Sequence, residues 1–400
     1  MNNETLKEMT RQIMPWLIEI RRDFHMHPEL GRNEFRTQEK IMQYLNEMGI
    51  EHYKIAGTGL VGMIEGKEGG NVVALRADID ALPMQEKNEV SYKSQNDGVM
   101  HACGHDAHTT ILLGAAKILN GMRKQFCGKV KLFFQPDEEG SGGAEVMVKE
   151  GCMDNPTVDY VLGLHVMGYL QTGQIEIRYG KLNASADSVK IIVRGKSAHG
   201  AYPEKGVDAI VAAAHIITAL QTLVSRNISP LNPVALSFGK ISGGTAGNAL
   251  AEEVAIGGTL RTLDPETRLY CKNRLEEIAE KTAAALGACV DVRVYFGYKA
   301  LINNDEIVKV IEQTGAEILG KENVVYKEFP SLGAEDFSYF LDKAKGAFYH
   351  LGCGNKSKNI TAMIHNSSFD IDEDCLGVGV QIQAANALKL LSRKKNQEQQ

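Results

Sequence analysis

Three short apolar runs in this chain each end in acids or a histidine. Val72–Leu75 leads to Asp78 and Asp80, Val130–Phe134 to Asp137, Glu138 and Glu139, and Tyr160–Leu164 to His165. Runs of this length, apolar on both faces, predict central strands of a parallel sheet. Thr109–Met122 predicts a helix between the first two, and Gly346–Gly354 a further central strand. In open α/β sheets, sites form beyond the carboxyl ends of the strands. All three runs deliver a potential ligand or base to that edge.

From about residue 184 the pattern changes. "SADSVKIIVRG" alternates like a strand, "GVDAIVAAAHIITALQTLVSR" is periodic like a helix, and "PVALSFGKISGG" and "EEVAIGGTLRTL" read as strands. "DPETRLYCKNRLEEIAEKTAAALG" predicts a helix opened by Asp264 as N-cap and Pro265 in the first turn. "ACVDVRVYFGY" is a last strand. The order β-α-β-β-α-β is that of a ferredoxin-like unit. It predicts an inserted domain at 184–297, within a discontinuous α/β domain made of 1–183 and 298–400. The helix over Val207–Val224 is apolar on two faces. Ala213, Ile216, Leu220 and Leu223 make one stripe, and Ile210, Ala214 and Ile217 another. One stripe covers the small sheet; the other is either further core or a contact with a second copy of the chain.

With 400 residues, 44% of them hydrophobic, the chain can bury a real core in two or three domains. Its 44 Lys and Arg against 50 Asp and Glu leave a net charge of −6, so no overall field favours nucleic acid. The opening "MNNETLKEMTRQIMPW" lacks the apolar core and small-residue site of a signal peptide. The most apolar stretch, Ala209–Leu220, is too short to span a bilayer. Seven cysteines without a framework favour reduced thiols, hence a cytoplasmic protein. The tail from Ser392 reads as solvated.

The densest chemistry lies in "MHACGHDAHTT", where His101, Cys103, His105, Asp106 and His108 fall within eight positions. Cys103 and His105 can converge on a metal. Alternatively, Cys103 is a nucleophile, for which no orienting partner is marked, or simply a buried thiol. "PDEEG" adds two adjacent carboxylates that point apart, so one can bind a metal while the other handles the proton of a water; otherwise it is a solvated acidic turn. His165 and His365 each follow apolar residues and are either core histidines or ligands. Cys103, His105, Glu139, His165 and His365 are too many for one open tetrahedral site. They fit two ions about 3.5–4 Å apart. Thiolate, imidazole and carboxylate together accept zinc, cobalt, nickel or manganese. Further on, His199 and Asn248 occupy Gly-rich loops and are groups able to hold an oxyanion or a carboxylate, or merely meet water.

Taken together, "RRDFHMHPELGRNEF", "LRADIDALPMQE", "MHACGHDAHTTILLGAA", "FFQPDEEGSGGAEVM", "GLHVMG", "GKSAHGAYPEKGVDAI", "SLGAEDFSYF" and "IHNSSFDID" resemble the M20 metallopeptidase clan over nearly the whole chain. The closer resemblance is to its amidohydrolase branch of aminoacylases, hippurate hydrolases and indoleacetyl-amino-acid hydrolases. The resemblance implies a two-metal catalytic domain with an inserted lid and dimerisation domain. It makes Cys103 the bridging ligand and His105, Glu139, His165 and His365 the others. Glu138 becomes the general base, and Asp80 the residue that orients or tunes the site. Asp78 stands where the wider clan has a ligand histidine. His199 corresponds to a lid histidine that reaches the oxyanion, often across a dimer interface, and Asn248 to a residue near the substrate carboxylate. The implied activity is hydrolysis of small N-acyl amino acids by a homodimer or higher homo-oligomer that needs neither nucleic acid nor membrane. A dipeptidase or carboxypeptidase with the same metals, and a non-catalytic binding relative, are the alternatives.

Overall fold

The computed structural model describes residues 3–393; the end of the tail read as solvated, 394–400, lies outside them. The chain divides into two compact units. The larger holds residues up to Gly180, Ile302–Phe329 and those from Tyr339 onward; the smaller holds Lys181–Leu301 and Pro330–Ser338. The sequence pattern left 330–338 with the larger unit. The structure assigns it to the smaller one because the Ser331 N–H donates to the Leu182 carbonyl (2.8 Å) and the Ser331 carbonyl accepts from the Ala184 N–H (3.0 Å).

Strands β1 (Glu51–Ile55), β2 (Gly59–Glu65), β3 (Lys67–Asp78), β4 (Cys127–Gln135), β5 (Tyr160–Gln171) and β6 (Ile175–Ile177) belong to the larger unit. The smaller unit contributes β7 (Asp187–Arg194), β8 (Val234–Gly243), β9 (Glu253–Thr262) and β10 (Cys289–Phe296). The larger unit then resumes with β11 (Val324–Tyr326) and β12 (Lys345–Gly354). Its eight-stranded sheet runs β1-β2-β4-β3-β5-β12-β6-β11. The central neighbours β4, β3, β5 and β12 are parallel, and antiparallel pairs lie toward the edges. The three apolar runs are therefore adjacent central strands, and their carboxyl ends share one edge.

Helices α1 (Asn3–Met26), α2 (Phe35–Glu47), α3 (His105–Gly121) and α4 (Gly143–Lys149) precede the smaller unit's α5 (Ala209–Thr222) and α6 (Pro265–Ala285). Helices α7 (Asp305–Leu319) and α8 (Asp374–Leu391) follow in the larger unit. Helix α3 is buried almost all round, from His105 through Leu119, as expected of a helix covered by α1 and α8 on one side and the sheet on the other. Gly104 starts it in the left-handed region, at φ +86°. A Cβ there would stand 2.3 Å from Val166 Cγ2. The turn that separates Cys103 from His105 is therefore open to glycine for both reasons.

In the smaller unit the sheet order is β10-β7-β9-β8, all antiparallel, with α5 and α6 packed on it. Asp264 caps α6 by accepting from the Thr267 N–H (2.8 Å), with Pro265 behind it. In α5 and the helical turn after it, Ala213, Ile216, Leu220 and Leu223 are buried, while Ile210 and Val211 are about half exposed at 49% and 47%. The apolar helical stretch continues to Asn227, 19 residues in all. It is thus longer than the sequence reading allowed and long enough to cross a membrane by composition. Its inner face nevertheless packs in the core of the small unit, and His215, Thr218, Gln221 and Ser225 face outward.

Gly104→Ala should cost about 1–3 kcal/mol, the scale for a side chain forced into the left-handed region. A thermal or denaturant midpoint of the metal-free protein equal to wild type would contradict this packing.

Candidate metal centre

Three connections and one strand of the large sheet bring the ligand types together. Asp78 ends β3 and Asp80 follows it; Cys103 precedes α3 and His105 begins it. Glu138 and Glu139 follow β4, His165 lies within β5, and His365 comes from the loop before α8. Ligand atoms of Cys103, His105 and His165 lie within 4.8 Å of one another. The same holds for Cys103, Glu139 and His365, and for His105, Glu138 and Glu139. Cys103, His105 and Glu139 each belong to two of these groups, so the groups adjoin one another. His365 adopts φ +58°, and its N–H donates to the Ala102 carbonyl (2.8 Å), tying its loop to the cysteine turn. His199 and Asn248 are exposed in the smaller unit. There the Asn248 carbonyl accepts from the Gly200 N–H (2.7 Å). The Ala201 N–H donates to His199 Nδ1 (3.1 Å), so Nε2 carries the proton of the neutral ring.

Asp80 holds two parts of the site at once. One oxygen accepts from His105 Nδ1 (3.0 Å) and the other from the Glu139 N–H (2.9 Å). With Nδ1 engaged by Asp80, Nε2 is the His105 atom left for a ligand, and this buried atom has no hydrogen-bond partner. Glu139 Oε1 is likewise buried and without a hydrogen bond, although His365 Nε2 lies 2.9 Å away. Buried polar atoms left without partners are costly. Two ligands of one ion, each about 2.1 Å from it, approach to about 3 Å. A divalent cation therefore fits these residues, and a carboxylate–histidine pair such as Asp80–His105 is the usual second support of a metal ligand.

The electrostatics agree. Burial alone would push the His105 imidazole down, but the Asp78, Asp80 and Glu139 carboxylates outweigh it and hold its pKa up to about 10. Burial pushes the Cys103 thiol well up, and Glu139 and Glu138 add to this. A nucleophilic cysteine needs the opposite, a depressed pKa, so the thiol-nucleophile alternative loses its footing. Burial, with His108 and His105 beside it, holds His165 well below the ordinary imidazole range, hence neutral and able to ligate. For Glu139, burial opposes the charge, but His365 and His105 outweigh it and lower its pKa.

Several residues that position this site carried no assigned role in the sequence. Asp106, within the densest motif, is bound by the buried Arg21 of α1 (2.9 Å) and by His25 Nδ1 (2.7 Å). Burial works against its charge, but Arg21 and His25 outweigh it and hold the carboxyl well below the usual range. It pins the start of α3 rather than joining the ligand groups. Buried Glu34 accepts from the Asp137 N–H (2.9 Å) and from Thr58 Oγ1 (2.5 Å), which fixes Asp137 at φ +54°. The Asp137 carboxylate in turn accepts from Arg32 Nε (2.9 Å) and Ser141 Oγ (2.6 Å). This clamp fixes the turn that carries Glu138 and Glu139. Nothing in the sequence around Glu34 marks it, since its partner lies about a hundred residues away. His108 did carry a signal: three residues after His105 on a helix, it shares the same face.

Residues 74–389 match the profile of peptidase family M20/M25/M40. The chain belongs to that family. It is 39% identical over 361 residues to the N-acetyl-L-cysteine deacetylase of Bacillus subtilis, a match covering 90% of this chain and 84% of that protein. It is 37% identical over 395 residues to thermostable carboxypeptidase 1 of Saccharolobus solfataricus, covering 98% and 99% of the two chains. A crystal structure from Bacillus subtilis, described as a dinuclear metal binding peptidase from the M20 family, matches with a TM-score of 0.84 at 33% identity, covering 95% and 99%. This M20 chain is accordingly a hydrolase with a mixed α/β fold and a mostly parallel central sheet.

His105 and Cys103 must each lose a proton to ligate, and both pKa values lie above neutrality. Metal binding by this M20 chain should therefore release protons, and affinity should rise with pH, by up to about tenfold per unit for each proton released. Cobalt titrations between about pH 6.5 and 8.5 check this; an affinity independent of pH would contradict it.

Proposed function

We propose that this chain is an amidohydrolase that cleaves the bond between an acyl group and the nitrogen of an amino acid. The observation that carries the proposal is the pairing of Glu138 with Glu139 on a turn held by Asp80, beside the Cys103, His105, His165 and His365 ligand atoms. The five ligand residues are assigned to two divalent ions, with Cys103 between them. When bound, such a pair supplies Lewis-acid polarisation of a carbonyl and acidification of a water. Zinc, cobalt, nickel and manganese all suit the ligand types.

In this mechanism Glu138 accepts the proton of the attacking water on a carboxylate oxygen as the oxygen–carbon bond forms. It then delivers that proton to the departing amine nitrogen as the carbon–nitrogen bond breaks. Its burial beside the ligand groups keeps bulk water from competing for the proton. Asp80 holds His105 and the Glu139 backbone in register while Glu138 works. His199, whose Nε2 carries the ring proton, is assigned to the developing oxyanion, and Asn248 to the substrate carboxylate. The exposed Ile210 and Val211 on α5 support a homodimer. Seven free thiols support a reducing, cytoplasmic setting.

The carboxypeptidase relative, matched over nearly the full length of both chains, keeps a second activity in view. A panel of N-acetyl and N-benzoyl amino acids against free dipeptides and N-blocked peptides separates the two. The proposal expects release of free amino acid from the acyl set, lost on chelation and restored by metal. Turnover confined to peptides would replace the deacylase by a peptidase, and turnover indifferent to chelator would remove the metal from the reaction. Glu138→Gln should retain bound metal and lose kcat by about 10²–10⁴-fold. A Glu138→Gln enzyme with near-normal kcat would end the acid–base assignment.

A further inference from the structure

We infer that His108, through the backbone of Val166, is the positioning residue that fixes the ring of His165 for its metal. The inference rests on the metal assignment of Cys103 and His165 made above.

Strand β3 stops pairing with β5 at Arg76 and Gly163. Val166 lies beyond that point, and its N–H instead donates to His108 Nε2 (2.9 Å). A backbone N–H can only donate, so Nε2 of His108 holds the lone pair and Nδ1 holds the proton. That Nδ1–H donates to Asp78 Oδ1 (2.5 Å). Asp78 is itself fixed from its other oxygen by Arg76 (2.7 Å). The second backbone group of Val166, its carbonyl, accepts from His165 Nδ1 (2.8 Å). A carbonyl can only accept, so His165 carries its proton at Nδ1 and presents a lone pair at Nε2, 3.2 Å from Cys103 Sγ. The His108 ring also packs edge-on against the His165 ring, with centroids 4.6 Å apart and planes at 72°.

The result is one chain of donors and acceptors, Arg76–Asp78–His108–Val166–His165. Both ring nitrogens of His108 are used within it, so His108 is excluded as a ligand although Asp78, His105 and His108 have ligand atoms within 4.8 Å of one another. Asp78 is engaged by the same chain. The third histidine of "HACGHDAH", on helix α3, thus sets the direction and tautomer of a ligand that lies on strand β5.

Two variants separate this role from simple packing. Asn at 108 keeps a donor near the position of Nδ1 but has no atom at Nε2, whereas Gln places an acceptor near Nε2. His108→Asn should weaken binding of cobalt by about 10–100-fold and shift the thiolate-to-cobalt absorption band of Cys103. His108→Gln should restore most of both. Cobalt is counted per chain on the full-length wild type in parallel. Wild-type affinity in His108→Asn, or equal loss in both variants, would overturn the inference while leaving the metal centre intact. A wild type that binds no cobalt would overturn both. Should the variants fail to fold, the ring-nitrogen NMR signals of the native metal-free protein decide. Nδ1–H tautomers at His108 and His165 are expected, and an Nε2–H tautomer at either overturns the inference.

Discussion

The Asp80 carboxylate is the constraint on which the candidate site depends. Its two oxygens join the start of α3, through His105, to the turn after β4, through the Glu139 backbone. Neither connection exists in the sequence neighbourhood of either partner. Without it, His105 loses the partner of its Nδ1 and the Glu138–Glu139 turn loses one of its anchors. Because Asp80 is buried, its hydrogen bonds are not exchanged with water, and the geometry is set before any ion arrives.

The charge pattern around that carboxylate has a consistent logic. Candidate ligands keep atoms without hydrogen-bond partners, as at His105 Nε2 and Glu139 Oε1. Groups that only support are saturated. Asp106 is taken by Arg21 and His25, Asp137 by Arg32 and Ser141, and Asp78 by Arg76 and His108. Buried acids outnumber the nearby fixed cations, so the centre retains a surplus of negative charge, which a divalent cation neutralises. This also accounts for Cys103. In such a field a thiolate is stabilised by a metal or not at all.

Much of this was legible in the pattern of residues. Apolar runs ending in acids predicted adjacent parallel strands, and those strands occupy the middle of the sheet. The Asp264–Pro265 pair predicted the start of α6 where it is found. Less was legible where contacts cross long distances. Pro330–Ser338 carries no local mark of belonging to the smaller unit, because backbone pairing by Ser331 decides it. Glu34 looks like any helix-end acid until Asp137 is placed over it.

Residue types and spacing by themselves determined the elements, the edge of the sheet at which chemistry collects, and the identity of the ligand-type side chains. These follow from local periodicity and from the few side chains able to bind a cation. Only the tertiary structure decided which of the clustered polar residues keep atoms open to a ligand and which have theirs engaged in support. Cys103, His105, Asp106 and His108 are nearly contiguous and chemically alike as candidates. Their roles separate because Asp80, Arg21 and Val166, each from another part of the fold, occupy particular atoms and leave others open. Hydrogen-bond valence is a property of the assembled site, and no reading of neighbours along the chain contains it.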